Sequence, residues 1–143
     1  MKICVLGAGA WGTALAIHLS KSYSTKLWAR NSGHLSGMKK AQSNPLYLGD
    51  FKFPSLLDIQ DNLKIALSEV NLIVCAVPTS GFRSILKLIN EIDQSAPVIW
   101  ANKGLEQGSA KLPHEIAFEE LGDPIKTNRH WGVVSGPSFA AEL

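Results

Sequence analysis

Gly7, Gly9 and Gly12 stand in the run Gly7-Ala8-Gly9-Ala10-Trp11-Gly12, a Gly-x-Gly-x-x-Gly spacing. Glycines at these intervals do chemistry through the backbone. The first permits a tight turn, the second lets the main chain approach a ligand, and the third lets a helix pack closely on a strand. A helix starting here would present unpaired N–H groups and the positive end of its dipole, which suits a diphosphate. The spacing by itself is weak, since a merely flexible turn also satisfies it. Its flanks decide the reading. Lys2 to Leu6 (KICVL) is an apolar run that stops at Gly7, as a strand buried on both faces would, and Trp11 to Lys21 is a mostly apolar helix. With a strand before it and a helix after it, the turn is read as a site for NAD(H) or NADP(H).

Basic residues bear on which of the two. Thr25 to Ala29 (TKLWA) reads as the second strand, and in NAD-binding versions of this unit an acid near its end accepts the ribose 2′-hydroxyl. Here Arg30 follows that strand, and no Asp or Glu occurs between Gly12 and Asp50. A guanidinium accepts no hydrogen bond but pairs well with a 2′-phosphate. NADP(H) is therefore the preferred cofactor and NAD(H) the alternative, unless Arg30 is only a solvated surface residue.

Other candidates sit where strands end. Lys103 follows the strand Pro97 to Ala101 (PVIWA), whose C-terminal end should open into the ligand crevice, where an ammonium can hold a phosphorylated or oxyanionic group. Its plain alternative is a loop lysine in water. Pro78 closes the strand Asn71 to Val77 (NLIVCAV) and either shapes the cofactor path or only stops the strand. Gly136 and Ser138 flank Pro137 at an apparent helix start, offering N–H groups and a hydroxyl to an anion, or simply a helix cap. Trp11 either lies over the diphosphate or staples its helix to the sheet. The four histidines show no metal-ligand spacing, so no metal is expected, and Cys4 and Cys75 read as inert core thiols.

The elements that must position these residues alternate. Further helices are expected over Leu35 to Ala41, Asp61 to Val70 with Asp61 near its N-cap, Ser80 to Ile92 and Leu112 to Leu121. Further strands are expected over Leu56 to Gln60 and Trp131 to Val134, and residues 44 to 55 (NPLYLGDFKFPS) read as an ordered loop of the kind that borders ligands. Trp28 and Trp100 read as core, while Trp131 is unassigned. Strands alternating with helices imply a Rossmann-type, doubly wound α/β fold with a parallel sheet and right-handed crossovers, formed as one domain over residues 1 to 143. A net charge of +2 with interspersed signs, no apolar run of membrane-spanning length and no leader-like N-terminus argue against nucleic acid and membrane insertion and for a cytoplasmic protein.

Five segments occur together and in order: GAGAWGTALA (Gly7 to Ala16), LWAR (Leu27 to Arg30), AVPT (Ala76 to Thr79) with Arg83, WANKGLE (Trp100 to Glu106) and SGPSFAAE (Ser135 to Glu142). The set resembles the N-terminal domain of bacterial NAD(P)-dependent glycerol-3-phosphate dehydrogenase along essentially the whole chain. That resemblance implies reversible hydride transfer between sn-glycerol 3-phosphate and dihydroxyacetone phosphate, for glycerophospholipid biosynthesis. It puts Ala10, Trp11, Arg30 and Ala140 on the cofactor, Lys103 on cofactor and substrate, and Gly136 and Ser138 on the substrate. The family's general acid/base lysine belongs to a helical C-terminal domain beyond Leu143, so residues 1 to 143 are expected to bind without turnover and to form a homodimer only within a longer protein. The family usually has Pro where this chain has Gly49. Two other readings stand beside this one: the cofactor domain of another β-hydroxyacid-type dehydrogenase, and a non-catalytic NADP(H)-binding regulatory module.

Overall fold

The computed structural model describes residues 1–93 and 95–135. Among these residues six strands and six helices follow one another as β1 (Lys2–Leu6), α1 (Ala10–Ser20), β2 (Ser24–Trp28), α2 (Ser32–Ala41), β3 (Leu57–Gln60), α3 (Leu63–Leu67), β4 (Leu72–Cys75), α4 (Thr79–Ile92), β5 (Val98–Trp100), α5 (Pro113–Leu121), α6 (Pro124–Thr127) and β6 (Trp131–Val133). The strands form one sheet in the order β3-β2-β1-β4-β5-β6, and every pair is parallel. The order reverses between β1 and β4, which opens a crevice at the strands' C-terminal ends.

Period-two alternation along the strands divides the core. Ile3, Val5, Leu27, Ile59 and Val74 face one side with Ala16, Leu35 and Met38 of α1 and α2. Cys4, Leu6, Ile73, Cys75, Val98 and Trp100 face the other, beneath α3, α4 and α5. Both cysteines are buried and unpaired; burial pushes the Cys4 thiol up to about 12 and raises that of Cys75 as well, as inert core thiols require. Trp28 and Trp100 are buried. Trp131, unassigned from sequence, packs at 5.7 Å on Trp100 and donates its Nε1–H to the Gly122 carbonyl.

Several boundaries move, each for a local reason. α2 begins three residues earlier than expected because the Asn31 side chain accepts the His34 N–H at 3.0 Å. α3 is confined to Leu63–Leu67 and is capped by Asn62, whose side chain accepts from Ile65 N, so Asp61 is not the cap. The chain leaves helical geometry at Ser68, whose ψ is 127, and Glu69 follows at φ +57. α6 was not foreseen; Asp123 caps it and Pro124 holds its first position. Arg129, just before β6, is buried without an ion pair among the described residues, donating instead to the Ala96 carbonyl and Asn90.

Candidate functional site

The sheet's C-terminal edge carries a cleft of about 910 Å³. Its floor is the turn between β1 and α1. Gly7 has φ +111, and a Cβ there would meet the Ala76 carbonyl oxygen at 2.6 Å. At Gly12 a Cβ would lie 2.0 Å from the Gly7 carbonyl oxygen, so the third glycine is what lets the helix close on the strand. Gly9 differs: nothing lies within 4 Å of its Cβ direction, so it leaves the turn open on one side. Gly9 is the N-cap of α1 with no side-chain cap, and the first turn holds no acid. The first intrahelical bond runs from Thr13 N–H to the Gly9 carbonyl, leaving the N–H groups of Ala10, Trp11 and Gly12 without intrahelical partners. That is a place for an anion.

The walls come from the next strands. Ala29, Arg30, Asn31 and His34 follow β2, Ala76 to Thr79 follow β4, Ala101 to Lys103 follow β5, and Val134 and Ser135 follow β6. Among the described residues the lining includes Arg30, Lys103 and His34 but no Asp or Glu. Arg30 is exposed, makes no ion pair among the described residues, and reaches toward Gly81 at the start of α4, where a Cβ would lie 3.9 Å from its Nη2. Trp11 is half-buried on the lining rather than fully packed under the helix. Pro78 is the N-cap of α4 and lines the same cleft.

The loop carrying Lys103 is tied down in two ways. On the cleft side, Asn102 Nδ2 donates to the Val77 carbonyl at 2.7 Å and Thr79 Oγ1 donates to the Lys103 carbonyl at 2.8 Å, which joins the ends of β4 and β5. On the outer side, Arg83 of α4 grips Glu106 through Nε and Nη2, both at 2.8 Å, while its Nη1 donates to Glu119 and Glu120 of α5. Lys111 pairs with Glu119, and Ser109 donates to Glu106. The Arg83 guanidinium, with the Ser109 hydroxyl, holds the Glu106 carboxyl at about 2. Three carboxylates around Arg83 raise the guanidinium's own affinity for its proton.

Sequence reading brought Gly7, Gly9, Ala10, Trp11, Gly12, Arg30, Pro78 and Lys103 to notice, and all eight line this one cleft. Gly136, Ser138 and Ala140 lie outside the described residues. Missed were Thr79, Asn102, Glu106 and the pair His34 and Asn44. The composition of the loop 44 to 55 predicts a ligand border but does not single out Asn44, which is fully buried beneath the glycine turn. Tyr47 from that loop lines the cleft and meets His34 edge-on at 6.0 Å. Gly49 takes no positive φ and a Cβ there would sit 3.4 Å from Pro45 Cα, so the loop does not depend on glycine at this position.

Strand order, glycine turn and crevice together define a Rossmann-type dinucleotide-binding domain. The class alone leaves the reaction open. Across residues 2–143 the chain matches the family model described as NAD-dependent glycerol-3-phosphate dehydrogenase N-terminus, and it belongs to that family. It is 54% identical over its full length to a glycerol-3-phosphate dehydrogenase [NAD(P)+] of Methylobacillus flagellatus, and 41% identical to that of Aromatoleum aromaticum, covering 42% of each. The crystal structure of glycerol-3-phosphate dehydrogenase from Coxiella burnetii superposes with a TM-score of 0.87 at 36% identity, over 99% of this chain and 42% of that one. The chain thus spans a little over two fifths of the length of the curated relatives it matches.

Proposed function

We propose that residues 1–143 are the cofactor-binding part of an enzyme that interconverts sn-glycerol 3-phosphate and dihydroxyacetone phosphate, with NADP(H) preferred and NAD(H) the alternative cofactor. The observation that carries this reading is the cleft itself, with no acid among its described lining residues, in which an open glycine turn, Arg30 and Lys103 converge from three different strand ends. The bound nicotinamide would supply and accept the hydride. The chain's own residues do the rest of the binding. The N–H groups of Ala10, Trp11 and Gly12 hold the diphosphate, and Trp11 covers it. Arg30 pairs with the 2′-phosphate, and Pro78 borders the path toward the nicotinamide end.

Lys103, standing between the ends of β4 and β6, is assigned to cofactor and substrate, where its ammonium neutralises an anionic group. Gly136 and Ser138 complete the substrate side and Ala140 the cofactor side. Proton transfer falls to a lysine beyond Leu143, as do assembly into a homodimer and a cytoplasmic role in glycerophospholipid synthesis. Among the described residues no helix is long and apolar enough to cross a membrane.

Two measurements test the reading. Titration of this chain with NADPH and NADH, followed by nicotinamide fluorescence, should show tighter binding of NADPH, and Arg30→Ala should cost NADPH about 1.5–3 kcal/mol while sparing NADH. Equal affinities would remove the NADP(H) preference. A longer protein that carries the remaining three fifths should oxidise NADPH only when dihydroxyacetone phosphate is present, and this chain should not; absence of activity in both would overturn the substrate assignment.

A further inference from the structure

Gly9 poses a problem that its neighbours solve. Gly9 has no Cβ and nothing lies within 4 Å of where one would stand, so no side chain of its own chooses between the two orientations of the Ala8–Gly9 peptide. In one, its N–H faces the open side of the turn; in the other, its carbonyl oxygen does. The C=O and N–H of a trans peptide point in opposite directions, so holding one aims the other.

The Ala8 carbonyl is held by Asn44. Its Nδ2 donates to Ala8 O at 3.0 Å and to Thr13 Oγ1 at 2.8 Å, and its Oδ1 meets His34 Nε2 at 2.9 Å. Because Nδ2 is the donor to a carbonyl, the amide's orientation is set, and Oδ1 must accept from His34 Nε2–H. Asn44 has no exposed surface, and its own carbonyl anchors Tyr47 N–H and Leu48 N–H in the turn that follows. One side chain therefore joins the glycine turn, α1, α2 and the 44–48 turn, with every polar atom used.

We infer that Asn44 is a positioning residue of the diphosphate site: it pins the Ala8 carbonyl on the buried side of the turn and so keeps the Gly9 N–H directed at the bound anion. Without its donors the carbonyl becomes a buried acceptor lacking a partner, and the peptide relieves this by turning its oxygen to the open side, against the phosphates. Thr13 supports Asn44 from α1, and His34 from α2. The inference rests on the dinucleotide reading above.

The test compares two ligands that share adenosine and the 2′-phosphate but differ in the diphosphate. 2′-phospho-ADP-ribose and adenosine 2′-monophosphate are titrated calorimetrically into the 143-residue chain and its variants. In Asn44→Ser, affinity for 2′-phospho-ADP-ribose should fall tenfold or more, while that for adenosine 2′-monophosphate changes less than twofold. Thr13→Val should show the same selective loss more weakly, and Thr13→Ser should restore it; this pair carries the test if Asn44→Ser does not fold. Parallel losses for both ligands, or no loss for either, would overturn the positioning role. Failure of the unsubstituted chain to bind either ligand would instead overturn the dinucleotide reading itself.

Discussion

The glycine turn and the loop from Asn102 to Lys111 border the same cleft but are built on opposite physical grounds. The turn is shaped by what is missing: the absent side chains of Gly7 and Gly12 let β1, α1 and the end of β4 approach to distances that any Cβ would violate, while Gly9 leaves the turn open. The loop is shaped by what is added, namely Arg83 and the carboxylates of Glu106, Glu119 and Glu120, which fasten it to α4 and α5 from outside. Steric shape persists at any pH and salt concentration, whereas charge-held shape does not. One cleft thus combines a sterically set floor with a wall held in part by charge.

Gly12→Ala attacks the steric side and should have the largest effect. A Cβ 2.0 Å from a main-chain oxygen forces α1 off the sheet, costing roughly 3 kcal/mol of stability together with nucleotide binding, as thermal unfolding and NADPH titration would show. Gly9→Ala sharpens the contrast. Nothing opposes its methyl in the fold, so the melting temperature should hold within the effect of about 1 kcal/mol while affinity for NADPH falls, the methyl occupying the space in which the proposed diphosphate would sit. If both variants unfolded alike, the distinct roles of the two glycines would be wrong.

Arg83→Leu attacks the charged side. It leaves Glu106, Glu119 and Glu120 facing one another without their shared cation, so the melting temperature should fall, by less than in Gly12→Ala, and high salt should soften the loss by screening the carboxylates. Protonation probes the same contact. The Glu106 carboxyl ordinarily titrates near 4.5 and is held at about 2 in the fold. A depressed acid adds stability that is complete above its unfolded value and is lost as pH falls toward its folded one. The advantage of the native chain over Glu106→Gln should therefore be constant at neutral pH and shrink between about 4.5 and 2, in acid unfolding followed by circular dichroism. The smallest effect belongs to Trp131→Phe, which keeps the ring against Trp100 and loses only the bond to the Gly122 carbonyl, about 1 kcal/mol.

The same contrast explains what could be read in advance. The glycine spacing lies within six consecutive residues, and the apolar runs on either side are local too, so turn, strand and helix were all legible. The helix at Leu63–Leu67 was misplaced at its start because Asp61 and Asn62 are both competent caps, and only backbone geometry selects Asn62. Asn44 escaped notice because its partners are Ala8, Thr13 and His34, as many as 36 positions away in the chain. The loop around Lys103 was recognisable as a motif, yet nothing local says that Glu106 serves as an anchor rather than a solvated acid.

Sequence alone determined the order of the strands and of every helix but α6, the glycine turn and the basic residues after the second and fifth strands, because each is a matter of near neighbours and of period. Only the tertiary structure decided that Arg30, Trp11, Pro78 and Lys103 share one cleft, that Arg83 and three glutamates hold its wall, and that a buried asparagine is hydrogen-bonded beneath its floor. Those are meetings between distant residues, and a parallel sheet brings them together only by returning the C-terminal ends of its strands to a single edge.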